Sequence, residues 1–255
     1  MVTLTVKRKT IYTILAFAVI TVILTAALKA TSAAQVFGGK GFKKLPIYSV
    51  GRDDNKISIS FDCAWGVDYT DELLTIMREE NVKCTFFMVE FWVEKHPDYV
   101  KKIYDEGHET GTHSATHPHM SKLDVTAIEK ELVTSSAAIE KITGEKPQTF
   151  RPPFGEYNDA VIETAQKLGL YPVQWDVDSL DWKDLSAEAI KERVLKRVKS
   201  GSIVLFHNQG LHTHEALRSI IKSLKAKGYE FVPIKELIYR DGYTIDSNGR
   251  QLKNS

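Results

Sequence analysis

From Lys56 onward the chain alternates between two hydrophobic patterns. Short apolar runs at 57–61, 83–89, 109–112, 149–151, 171–175, 202–206 and 229–232 read as seven strands. Between them apolar residues recur at helical spacing. The clearest case is 125–142, where Val125, Ile128, Leu132, Ile139 and Ile142 share one face. Val161, Ile162, Ala165 and Leu168 mark a second helix, Ala189, Ile190, Val194 and Val198 a third, and Ala216, Ile220, Ile221 and Leu224 a fourth. Strand and helix taking turns predicts an α/β domain with a parallel sheet covered by helices. A closed or nearly closed barrel competes with an open doubly wound sheet, and both place active residues at the carboxyl ends of the strands.

A different pattern precedes the domain. Lys7, Arg8 and Lys9 are followed by nineteen uncharged residues, 10–28, which as a helix extend about 28 Å and suffice to cross a bilayer. This is an N-terminal transmembrane or signal segment, assigned to residues 1–30. Its basic flank predicts that the amino end stays cytoplasmic and that everything after it is exported. The domain is therefore expected outside the cytoplasm, membrane-anchored or secreted. Residues 31–55, glycine-rich and without period, read as a stem, 56–240 as the domain and the polar 241–255 as a tail that is either a loose end or a short capping piece.

Lysine and arginine total 34 against 33 acids, a net charge of +1, so nucleic acid is not expected as a partner. A monomer is expected. The two cysteines, Cys63 and Cys84, fall at opposite ends of neighbouring strands, beyond the reach of a disulfide.

Titratable residues collect at the predicted strand ends: Asp62 after 57–61, Arg151 after Thr149 and Phe150, and His207 after 203–206. Charged groups are rarely buried unpaired, so three such ends point to one shared site. His113 and His117, four residues apart, can face one ion from a helical turn or a compact loop, and zinc or another divalent transition metal such as cobalt suits them. The run Trp175 to Trp182 holds Asp176, Asp178 and Asp181 between two indoles. One acid there can orient a catalytic side chain, or all can cap a turn.

The order Ser-Phe-Asp62, His113-Ser-x-x-His117, Arg151-Pro-Pro-Phe-Gly155, Asp178-Ser-Leu-Asp181-Trp182 and Leu205-Phe-His207 resembles the polysaccharide deacetylase family (NodB homology, carbohydrate esterase family 4) over 56–237. The resemblance implies a distorted (β/α) barrel of about seven parallel strands and metal-dependent hydrolysis of acetyl groups on a sugar polymer. By the same resemblance Asp62 is the general base, Arg151 orients it, His113 and His117 bind the metal, and His207 is the general acid. Asp181 tunes His207, with Asp178 as the alternative. The Phe154 amide helps to hold the oxyanion, and Trp182 and Leu205 contact sugar and acetyl methyl.

One position departs from the pattern. The usual motif has two adjacent aspartates, base then metal ligand, whereas this chain has Asp62 then Cys63. A thiolate binds zinc at about 2.3 Å, which makes Cys63 a candidate ligand. Asp68, a two-histidine site, and loss of activity with a retained glycan groove are the alternatives. Asn208 stands where many relatives carry aspartate. The layout, with the 62–66 and 175–182 variants, resembles deacetylases of spore formation, so the expected partner is an acetylated cell-wall glycan, peptidoglycan, with a membrane-tethered glycan-binding or spore-wall assembly factor as the alternative function.

Overall fold

The computed structural model describes residues 44–254. The segment 10–28 and most of the stem lie outside the described residues. Among the described residues no helix is long and apolar enough to cross a membrane.

In chain order the elements are β1 (Ser49–Val50), β2 (Lys56–Cys63), α1 (Thr70–Glu79), β3 (Thr85–Met88), α2 (Glu90–Lys95), α3 (Pro97–Asp105), β4 (Glu109–Thr112), α4 (Val125–Thr143) and β5 (Thr149–Phe150). Then follow α5 (Asp159–Lys167), β6 (Tyr171–Pro172), β7 (Val177–Asp178), α6 (Ala187–Arg197), β8 (Ile203–His207), α7 (Thr213–Ala226), β9 (Glu230–Phe231), α8 (Ile234–Leu237), β10 (Tyr243–Ile245) and β11 (Arg250–Lys253).

The main sheet runs β6-β5-β4-β3-β2-β8-β7, with β9 paired to the first residues of β2, and every pairing in it is parallel. Its edges, β6 and β7, are consecutive in the chain. Five Cα steps separate Pro172 from Val177, so the edges stand at most about 18 Å apart and the sheet curves into a distorted, unclosed barrel. All seven expected strands form. The seventh strand of the curved path, however, is the unexpected β7, while the expected run 229–232 pairs beside β2.

Helix boundaries follow local chemistry. Asp124 accepts the Ala127 amide and Gly144, at φ 74°, ends α4 in the left-handed region. Asn158 and Ser186 cap α5 and α6 in the same way. The predicted face of α4 needs one correction: Val125 is half exposed at the first turn, and Ser135 and Ser136 complete the buried stripe. Central β2 is buried on both faces, as a parallel strand under helices must be. Ile57, Ile59, Phe61 and Cys63 pack in the main hydrophobic cluster, while Ser60 and Asp62 alternate to the barrel interior.

Two expected boundaries move. Ile47 and Val50, assigned to the stem, are buried. The Ile47 amide donates to the Pro172 carbonyl and the Val50 amide to that of Gly201, so this stretch laces the β6 edge to the turn before β8. The tail is also built into the domain. β10 and β11 form an antiparallel hairpin, β11 pairs with β1, and buried Gln251 exchanges hydrogen bonds with the Tyr239 backbone. A polar sequence concealed a strand whose pairing, not its apolar content, holds it. Both cysteines are free and buried. Cys63 pairs across from Met88, four residues beyond Cys84, about 13 Å along the strand and outside disulfide reach.

Candidate active site

Asp62, His113, Arg151 and His207 meet at the carboxyl ends of β2, β4, β5 and β8, at the floor of a cavity of about 740 Å3. Arg151 is wholly buried. It donates from Nη1 to Asp62 Oδ1 at 2.7 Å, and from Nη2 to Ser60 Oγ at 2.8 Å and the Gln174 carbonyl at 3.1 Å. Its guanidinium lies 4.1 Å from the Phe87 ring centroid. Burial pushes the Asp62 carboxyl up, but the Arg151 charge, with His113 and His207, outweighs it and holds Asp62 below the ordinary carboxylate value. Oδ1 is committed to Arg151, which leaves Oδ2 to the cavity side.

On the neighbouring strand, where His207 pairs across from Asp62, His207 Nδ1 lies 2.8 Å from Asp181 Oδ1, while Asp181 Oδ2 accepts the His207 amide at 2.8 Å and the Thr213 hydroxyl at 2.7 Å. Burial alone would lower His207; the hydrogen bond and charge of Asp181, helped by Asp62 and Asp178, raise it above the ordinary imidazole value. This geometry separates the three acids of the 175–182 run. Asp181 faces His207, Asp178 Oδ1 accepts the Leu180 amide within its turn, and Asp176 holds Ser202 and Ile203 at the base of β8.

His113 Nδ1 lies 2.7 Å from the Arg151 carbonyl, which can only accept, so Nδ1 carries the proton and Nε2 presents its lone pair beside Asp62 Oδ2, 3.6 Å away. The His117 ring stands 4.9 Å from that of His113. It sits on a compact loop, with Ser114 and His117 both at positive φ, rather than on a helical turn. Burial lowers both imidazoles, His117 to about 4, so both are neutral near pH 7. The loop is held by Glu131 of α4, which accepts the Ala115 and Thr116 amides and the Thr116 hydroxyl, each at 2.8 Å. Sequence reasoning missed Glu131, one acid among several on a helix.

Cys63 does not join them. It follows Asp62 on an extended strand and so points to the opposite, helix-facing side, where it packs in the apolar core with no exposure. Burial there pushes its thiol far up, away from the thiolate a metal requires. Asp68 is exposed and engaged with Gln209. Among the described residues no three His, Cys, Asp or Glu side chains form a metal-holding group. The residues therefore fit a divalent ion through two imidazole donors, His113 and His117, one short of the three protein ligands common in catalytic zinc sites.

Phe154 holds φ 57° in the turn after Arg151, its ring 4.6 Å from those of His117 and His119. Trp182, half exposed, and buried Leu205 line the same cavity. Of the residues expected in the site, Asp62, His113, His117, Phe154, Trp182, Leu205 and His207 line the cavity, Arg151 and Asp181 adjoin it through Asp62 and His207, and Cys63 faces away. Trp65 lines it too, without having been expected to.

Comparison with known proteins finds relatives of one family. The chain is 37% identical over 196 residues to a peptidoglycan-N-acetylglucosamine deacetylase of Bacillus cereus, covering 75% of this chain and 92% of that one. It is 36% identical to the uncharacterized protein YlxY of Bacillus subtilis over 76% of this chain, and the match spans only 60% of YlxY. Among solved structures, BA3943 of Bacillus anthracis, described as a carbohydrate esterase family 4 (CE4) pseudoenzyme, superposes with a TM-score of 0.74 at 34% identity, over 76% of this chain and 69% of that one. A mutant of BA3943 is described as having restored enzymatic activity. The family profile named Polysaccharide deacetylase matches residues 49–173, and the chain belongs to the polysaccharide deacetylase family.

Proposed function

We propose that this protein removes N-acetyl groups from peptidoglycan outside the cytoplasm, exported or anchored through residues 10–28. One observation carries the reading: two titratable pairs in one cavity, Asp62 with Arg151 and His207 with Asp181, have environments that push an acid down and a base up. Asp62, ionised, takes a proton at Oδ2 from the attacking water. His207, protonated and oriented through Nδ1 by Asp181, gives one from Nε2 to the departing amine as the amide C–N bond breaks and acetate leaves. The Phe154 amide faces the developing oxyanion, and Leu205 and Trp182 contact the acetyl methyl and sugar. A divalent ion, zinc or cobalt, bound by His113 and His117 would activate the water and polarise the carbonyl. Spore-wall formation is the setting suggested by the resemblance of the 62–66 and 175–182 runs.

Acetate release from acetylated glycan is expected, and it should disappear in Asp62→Asn and in His113→Ala; release surviving both substitutions sinks the proposal. The burial of Cys63 favours a second reading, a glycan-binding factor without turnover. Metal analysis separates the two. About one ion per chain, lost in His113→Ala and retained in Cys63→Ala, supports the enzyme, whereas oligosaccharide binding with no ion and no acetate supports the binding factor.

A further inference from the structure

Of the five residues Asp62 to Gly66, the reaction uses only the first. Trp65 remains 63% exposed, an unusual state for so large an apolar side chain. The backbone displaying it is nevertheless fixed. The Gly66 carbonyl accepts from the buried Trp92 indole nitrogen at 2.7 Å and from Asn208 Nδ2 at 3.0 Å. Gly66 itself has φ 59°, and a Cβ there would meet Gln209 at 2.7 Å. Asn208, 1% exposed, spends its amide on Gly66 and on the Thr70 hydroxyl rather than on His207.

The Trp65 ring meets the His117 ring at 69° and the Phe91 ring at 58°. Among the described residues no ring lies flat on it, whereas Phe154 is covered by His119 at 20°. An open aromatic plane on a fixed loop at the rim of the cavity has the chemistry that stacks on the apolar face of a pyranose. The cavity is about 740 Å3, against roughly 250 Å3 for one N-acetylhexosamine at interior packing density, so it holds more than the sugar being cleaved. Trp65 adjoins His117, while Trp182 follows Asp181 on the His207 side. We propose that Trp65 is a second sugar subsite, which stacks on a neighbouring N-acetylhexosamine of the same glycan while the acetyl group reaches Asp62 and His207. This rests on the deacetylase reading and extends it to substrate length. A fixed platform limits the ordering cost of binding.

Binding of N-acetylglucosamine pentamer and monomer to the full chain, freed of divalent ions so that turnover does not intrude, tests the subsite by calorimetry. Trp65→Ala should weaken the pentamer about tenfold, the effect of losing one buried aromatic face, and leave the monomer nearly unchanged. Trp65→Phe should recover most of the loss. Equal weakening of both ligands, or of neither, overturns the subsite. Acetate release is scored separately: a wild-type chain that releases none but loses pentamer selectively in Trp65→Ala keeps the subsite and fails as a deacetylase, while release with a Trp65→Ala variant unchanged toward the pentamer does the reverse.

Discussion

Buried carboxylates stand at both ends of the barrel, and the surroundings of Asp62 and Glu109 push these two in opposite directions. At the carboxyl end Asp62 faces Arg151 and borders a cavity of about 740 Å3. At the amino end Glu109, first residue of β4, accepts from the Thr85 and Thr149 hydroxyls at 2.7 and 2.8 Å and from the Lys235 amide at 2.8 Å. Its crevice measures about 10 Å3, space for one water at most. Burial dominates at Glu109 and raises its carboxyl against these neutral donors and the Lys235 charge; at Asp62 the guanidinium and the two imidazoles overcome burial. Neutral donors leave a buried carboxyl above its ordinary value, a guanidinium in contact brings it below, and of the two only Asp62 borders space for a substrate. Glu109 ties α8 to β3 and β5, so its role is in the frame.

The sharpest way to break this comparison is to remove each charge in turn. Asp62→Asn should lower acetate release by about 10²- to 10⁴-fold, the range of a lost general base. It should also cost about 3–5 kcal/mol in a urea melt, because Arg151 keeps a buried charge without its counterion. Glu109→Gln should leave the rate intact. Were Glu109→Gln to lose as much rate as Asp62→Asn, the two ends would not be separable in function.

A smaller effect is expected at the His207 wall. His207 serves as an acid only while protonated, so the reaction is present below its pKa and lost as pH rises through it. Asp181 supplies the main influence raising that pKa. Asp181→Asn should therefore move the alkaline limb of kcat/KM to lower pH, in addition to slowing the reaction. An unmoved limb would mean that another group sets it.

Much of this contrast was legible before the fold. Apolar runs in the central strands and one-sided helices such as α4 carry strong periodic signals, and Asp62, Arg151 and His207 stood out because charges at strand ends need a reason. Other features depend on contacts distant in sequence. Asp181 and Asp178 look alike in their run, and only the His207 amide and Thr213 separate them. β7 is two residues inside an acid-rich stretch, too short for any period. Cys63 shows the opposite case: alternation along β2 already put it on the face away from Asp62, but the motif's usual ligand drew attention to its chemistry instead of its direction.

The smallest effect concerns Glu109 alone, and its sign follows from linkage. A folded-state pKa above the unfolded value, about 4.3 for glutamate, means that the folded chain holds the proton more tightly. The resulting stability is fully present below the unfolded pKa and disappears as pH rises through the folded one. Glu109→Gln does not titrate. It sacrifices part of a hydrogen-bond set, about 1 kcal/mol, at every pH. Urea midpoints of wild type and Glu109→Gln should therefore differ most in favour of wild type at acid pH and converge as pH rises above the ordinary carboxylate range. A wild-type advantage that grows with pH would show that Glu109 is held ionised, like Asp62, and would remove the distinction between the two ends of the barrel.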